Sequence, residues 1–244
     1  MQGLKRVLPS MDTLCQDAAK ELLRLIHRTV EERDIFHLFL AGGSTPKSFY
    51  KLLASPIYAN AIPWGKVHLY FGDERHVTPD HSESNYRMVN DALLTRISID
   101  PTHVHRIQGE LSADQAAETY HKVIDSLIPS NKDGKPQPDL VLLGLGPDGH
   151  IASLFPGTDI LDNHQAYCAA VWVEKQKSWR MSITYPIINN ARNLWFFIAG
   201  ENKQAIVERV FNPPTASEPL PVERITAQGA ITWFMDQSAA KLLK

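Results

Sequence analysis

The 244-residue chain has only two cysteines, Cys15 and Cys168, which form neither a CxxC pair nor a zinc-ligand spacing. That excludes a disulfide scaffold and points to two thiols in a reducing compartment. No apolar run approaches the ~20 residues that a membrane span needs. The N-terminal stretch MQGLKRVLPSMDTL also lacks the unbroken apolar segment of a secretory signal. Charge of one sign is missing too: 25 Lys and Arg against 27 Asp and Glu leave a net charge of −2. That balance does not suit a general nucleic-acid surface, although a few arginines can still hold a specific anion. The ten histidines include no HExxH or other metal spacing, so no metal is expected. Repeats and low-complexity tracts are absent. What remains is a globular, cytoplasmic protein with neither membrane nor nucleic acid as a partner, and its 43% hydrophobic content is ordinary for such a chain.

Hydrophobic spacing then organises the chain. From Met11 to Arg33, Leu14, Ala18, Leu22, Leu25, Ile26 and Val30 recur at helical steps. Short apolar runs at 35–41, 67–72, 139–145, 169–173, 181–185, 194–199 and 231–234 read as strands. Helices are expected at 46–54, 84–96, 112–127 and 202–211, with a proline-rich loop after the last of these and a final helix at the C-terminus. Strands alternating with helices predict an α/β fold with a largely parallel sheet covered on both faces. The turn-rich stretch Pro129–Pro138 does not interrupt this rhythm, so residues 1–244 are expected to form a single domain. Ligands of such sheets bind beyond the carboxyl ends of the strands.

Several segments there bear on chemistry. In AGGSTP, residues 41–46, two glycines allow a tight turn and Thr45 is placed to cap a helix opening at Pro46. A helix start of this kind offers unpaired N–H groups to a phosphate, with Gly43, Ser44 and Thr45 as donors; an ordinary capped turn is the competing reading. In FGDERHV, residues 71–77, Asp73 and Arg75 follow a buried strand, either as cleft residues or as part of a solvated loop. SESNYR, residues 82–87, adds Asn85. Arg180 at the head of a strand and Lys203 at the start of a helix are further cations, each equally readable as surface charge.

GLGPDGHIASLFPG, residues 144–157, matches GxGxxG in its first six positions. A dinucleotide site needs a long helix after the glycines and a second strand ending in an acid. Pro156-Gly157 cuts any such helix to about two turns, and no buried strand precedes Asp159 or Asp162. The segment instead displays Asp148-Gly149-His150 on a turn. Histidine titrates near neutrality and can take a proton from water, and on a turn with a glycine between them Asp148 can orient His150. A histidine that merely caps a short helix is the alternative.

Taken together, LAGGSTP, FGDERHV with SESNYR, LGLGPDGHIASLFPG, WRMSITY and AGENK resemble, in this order across nearly the whole chain, the 6-phosphogluconolactonase family. The resemblance implies a Rossmann-like α/β sheet and cofactor-independent hydrolysis of a phosphosugar lactone, 6-phospho-D-glucono-1,5-lactone. It also implies that His150 is the general base and Asp148 its orienting partner. Arg75, Arg180, Lys203 and the Gly43-Ser44-Thr45 turn would hold the phosphate and the developing oxyanion, and Asp73 and Asn85 would contact sugar hydroxyls. The related glucosamine-6-phosphate deaminases carry a glutamate five residues after the histidine, where this chain has Phe155. A non-catalytic sugar-phosphate sensor is a third possibility. Trp179 stands where family members often carry proline, and the oligomeric state is not legible.

Overall fold

The computed structural model describes residues 2–214 and 218–243. Strand β1 (Leu4–Leu8) leads into α1 (Met11–Arg33), β2 (Phe36–Leu40), α2 (Ser44–Leu53), α3 (Pro56–Ala61), β3 (Val67–Phe71) and β4 (Asp73–Arg75). Then follow α4 (Asn85–Ala92), β5 (Val104–His105), α5 (Ala113–Leu127) and β6 (Leu140–Leu143). After a stretch of turns come β7 (Cys168–Val173), β8 (Ser178–Ile183), α6 (Tyr185–Asn190), β9 (Asn193–Ile198), α7 (Gln204–Phe211) and β10 (Ala230–Asp236). Local chemistry explains many boundaries. Helix α1 opens at Ser10, whose hydroxyl accepts the Thr13 N–H while the Thr13 hydroxyl accepts the Ser10 N–H, and it buries Leu14, Ala18, Leu22 and Ile26.

Seven strands form one sheet in the order β1-β10-β9-β6-β2-β3-β5, and every pairing in it is parallel. All residues of β2 and β6 are buried, so both faces of the sheet centre are covered, as the unbroken apolar runs indicated. The strand order reverses at the β2–β6 junction: β3 and β5 lie to one side, β9 and β10 to the other. A crevice opens beyond the carboxyl ends of strands at such a reversal. The segments that follow β2 and β6 therefore face each other across it.

The structure corrects several expectations. Asp73–Arg75 is not a loop but strand β4 of a second, antiparallel sheet ordered β4-β8-β7, because its backbone finds partners in β8. Helix α2 begins at Ser44 with Gly43 as its N-cap, and no side chain caps it. Thr45 and Pro46 thus lie inside the first turn, where proline's missing N–H costs nothing. The long helix after Gly149 that Pro156-Gly157 argued against is indeed absent, and residues 151–154 close a bridged turn. Tyr185, expected in a strand, opens α6 with Pro186 in its first turn. Strand β1 was not anticipated, and the expected final helix is a run of turns after β10. Within the proline-rich loop that follows α7, residues 215–217 lie outside the described residues.

Candidate active site

A cleft of about 250 Å³ occupies the crevice at the strand reversal. One wall is the turn into α2, with Gly43, Ser44 and Thr45; the other is the segment after β6, with Gly144, Gly146 and His150. Asp73, Arg75, Asn85 and Lys203 complete it. Eight of the ten residues singled out from the sequence thus meet in one place. The other two lie beside lining residues: Asp148 pairs with His150 and lines an adjoining cavity, and the buried Arg180 is opposite Arg75 in the β4–β8 pairing.

Asp148 makes its contribution through His150. Gly149 has φ of +79°, a backbone state that L-residues rarely adopt, and it folds the chain back so that residues two apart face each other. The turn is closed by the Gly149 N–H donating to Gly146 O at 3.0 Å and the Gly146 N–H donating to His150 O at 2.9 Å. His150 Nδ1 then lies 2.5 Å from Asp148 Oδ1. An ionised carboxylate only accepts, so Nδ1 carries the proton and Nε2 presents a lone pair. No described residue hydrogen-bonds Nε2. Burial opposes ionisation of Asp148, but the hydrogen bond and charge of His150 outweigh it and hold the carboxyl below its usual range.

Arg75 and Lys203 line the same cleft as His150. Arg75 and Arg180 are directly opposed across the β4–β8 pairing. Arg180 is only 7% exposed, and its burial, then the charge of Arg75, lower its pKa. The Nε atoms of both arginines are buried without a hydrogen-bond partner. One nitrogen of each guanidinium donates within the protein, Arg75 to Glu83 O and Arg180 to the Gln176 side chain, and two such groups close together concentrate positive charge that attracts an anion. Across the cleft, Lys203 donates to Leu145 O at 2.6 Å; burial depresses its pKa against the pull of Asp148. The first-turn N–H groups of α2 add neutral donors between them.

The chain matches the family model described as Glucosamine-6-phosphate isomerases/6-phosphogluconolactonase over residues 9–233. It belongs to that family. A 6-phosphogluconolactonase of Synechocystis sp. is 34% identical over 239 residues, covering 98% of this chain and 97% of that protein. A probable chloroplastic 6-phosphogluconolactonase 3 of Oryza sativa subsp. indica is 35% identical over 246 residues, covering 97% of this chain and 75% of that protein. The solved structure of 6-phosphogluconolactonase from Trypanosoma brucei superposes with a TM-score of 0.88 at 26% identity, covering 100% of this chain and 99% of that one.

The glucosamine-6-phosphate isomerase/6-phosphogluconolactonase family joins two chemistries, so the residues around His150 matter. Phe155 stacks on the His150 ring with centroids 4.1 Å apart. A phenyl group at this point carries no proton.

Asp73 and Asn85 also anchor a polar framework whose other members, Glu74, Ser153 and Ser182, sequence reading left unassigned. Asp73, 9% exposed, accepts the Ser153 hydroxyl at 2.7 Å and the Asn85 amide at 3.2 Å. The Ser153 N–H in turn donates to the Ser182 hydroxyl at 3.1 Å. The segment that carries His150 is thereby tied to both strands that carry the arginines. Glu74, 2% exposed, accepts the N–H groups of Arg75, Asn85 and Tyr86 at 2.7–2.8 Å and the Ser84 hydroxyl at 3.1 Å. Burial raises its pKa while those N–H groups oppose the shift. Two consecutive acids after a buried strand were the only sequence signal for this role. Ser153 and Ser182 left none, because their partners are distant in sequence.

Proposed function

We propose that this chain hydrolyses 6-phospho-D-glucono-1,5-lactone to 6-phospho-D-gluconate, in the oxidative pentose phosphate pathway, by general-base activation of water. The observation that carries the reading is the Asp148–His150 pair, with His150 lining a cleft shared with Arg75, Lys203 and the start of α2. In this mechanism Nε2 takes a proton from water as its oxygen attacks the lactone carbonyl. Charge develops on the carbonyl oxygen, and the cleft cations and N–H groups stabilise it where it forms. The tetrahedral intermediate then expels the ring oxygen, which receives the proton from the His150 imidazolium, giving carboxylic acid and hydroxyl. The remaining cations hold the 6-phosphate. A lactone is already an activated ester, so neither an acyl-enzyme nor a cofactor has a step to perform. Asp73 and Asn85, besides facing the cleft, keep the His150 segment in register.

Residues 1–244 are read as one lactonase domain, supported by a family match that spans nearly the whole chain and by one continuous core. A cytoplasmic setting goes with it: Cys15 and Cys168 are buried and free, as thiols in a reducing compartment are. Among the described residues no helix is long and apolar enough to cross a membrane.

The deaminase reading requires a proton-relaying group where this chain has Phe155, and the sensor reading leaves the ordered Asp148–His150 pair without a task. One experiment separates all three. Freshly generated 6-phosphogluconolactone is supplied in a coupled assay, with its spontaneous hydrolysis subtracted, and ammonia release from glucosamine 6-phosphate is followed in parallel. Lactone turnover far above background without ammonia release is expected. Ammonia release would move the assignment to the deaminases, and tight binding of 6-phosphogluconate without turnover would make the chain a sensor.

A further inference from the structure

We infer that Phe155 is a positioning residue that fixes the plane of the His150 imidazole for proton transfer. The inference rests on the lactonase reading and deepens it. Asp148 holds one nitrogen of the imidazole at 2.5 Å. A single hydrogen bond sets a direction but leaves the ring free to rock about that axis. Two further surfaces remove this freedom. Gly146 approaches so closely that a Cβ there would lie 2.0 Å from Nδ1 and 2.1 Å from Cε1. The Phe155 ring stacks on the imidazole with centroids 4.1 Å apart and planes 29° from parallel, a contact of the kind aromatic pairs favour.

The phenyl plate is itself rigidly mounted. Ile151 and Leu154, on the same turn, are fully buried, and the Leu154 N–H donates to Ile151 O at 2.8 Å. Ser153 between them is tied to Asp73 and Ser182. Immediately after Phe155, Pro156-Gly157 turns the chain, and the Thr158 hydroxyl donates back to Phe155 O at 2.7 Å. Residues 151–158 thus form a braced turn whose one aromatic side chain is laid over the base. Phe155 does not line the cleft that holds Arg75, Lys203 and the start of α2 but an adjoining cavity with Asp148 and Trp179, so its effect falls on the geometry of proton transfer and not on substrate capture. A misplacement of about 1 Å at a reacting group is enough to cost roughly 10²-fold in rate.

The test compares Phe155→Leu and Phe155→Tyr with the wild-type enzyme. Leucine keeps an apolar group but removes the flat face; tyrosine keeps the face. In Phe155→Leu, kcat for the lactone is expected to fall roughly 10–100-fold with KM within threefold of wild type, and Phe155→Tyr is expected to restore kcat to within threefold. The ring-proton resonances of His150, followed by NMR in the same proteins, report the stack without reference to activity. Their ring-current displacement is expected to vanish in Phe155→Leu and persist in Phe155→Tyr. A Phe155→Leu enzyme with wild-type kcat would overturn the inference, as would a kcat loss that tyrosine fails to rescue or that tracks a lowered urea midpoint. If the wild-type protein itself shows no lactone turnover, the functional reading fails, and unmoved His150 resonances across the variants would separately remove the stack.

Discussion

Replacing Gly146 with alanine probes the base directly. A Cβ at 146 would sit 2.0 Å from His150 Nδ1, so the ring must withdraw by about 1.4 Å to reach an ordinary contact of 3.4 Å. It cannot withdraw freely, because Asp148 holds Nδ1 at 2.5 Å and Phe155 lies 4.1 Å from the ring centre. The imidazole therefore gives up either its carboxylate or its orientation. With 1 Å of misplacement costing about 10²-fold, kcat is expected to drop at least ~100-fold, equivalent to about 2.7 kcal/mol of transition-state stabilisation. Stability should change little, since the displaced group is a side chain at the edge of an open cleft. The assay is steady-state hydrolysis of fresh lactone beside a urea melt of the same preparation. A Gly146→Ala enzyme with kcat within threefold of wild type would refute the reasoning, because the ring would then have room that the structure denies it.

Other consequences follow from different parts of the molecule. Near the start of β2 and β3, His37 is 5% exposed, and burial, then the neighbouring His68 and His105, lower its pKa to about 4. Burial, then His68 and His103, take His105 to about 4 as well; burial, then His103, lower His68. These folded-state values lie below the unfolded value of about 6.5, so the unfolded chain binds more protons between them. Stability is therefore fully present above about pH 6.5 and is lost as pH falls toward 4, His37 alone accounting for on the order of 3 kcal/mol. Urea midpoints measured from pH 7.5 to 4.5 should fall across that window, and a flat series would contradict the assignment. Arg75→Ala is expected to raise KM for the lactone roughly ten- to a hundredfold, since charge-assisted hydrogen bonds contribute ~1.5–3 kcal/mol; an unchanged KM would remove Arg75 from anion binding. Ser153→Ala leaves the buried Oδ2 of Asp73 without its donor and should cost about 1–3 kcal/mol, read as a lowered urea midpoint.

The parts of this structure that were legible in the sequence are those set by near neighbours. Helix α1 was read to the residue, because its apolar spacing runs unbroken between Ser10 and Asp34. The cleft was anticipated because its residues follow directly on buried strands, and parallel sheets present their ligands there. The misreadings arose where tertiary partners override local pattern. Asp73–Arg75 looks like a polar loop until β8 is laid beside it, and the C-terminal helical pattern resolves into turns around the buried Asp236, which accepts the N–H groups of Gly200 and Ala239. Ser153 meets Asp73 across 80 residues of chain, and no local pattern foretells such a contact. The stacking of Phe155 on His150 belongs to the same class: the spacing was visible, but only the bridged turn at 151–154 brings the rings together.

The central claim, that His150 activates water, is tested most directly by His150→Ala. Proton release from fresh 6-phosphogluconolactone is followed beside 6-phosphogluconate binding on the same folded protein. Loss of general-base catalysis is expected to lower kcat by about 10²–10⁴ while 6-phosphogluconate affinity stays within a few-fold of wild type. Undiminished turnover in His150→Ala would contradict the account.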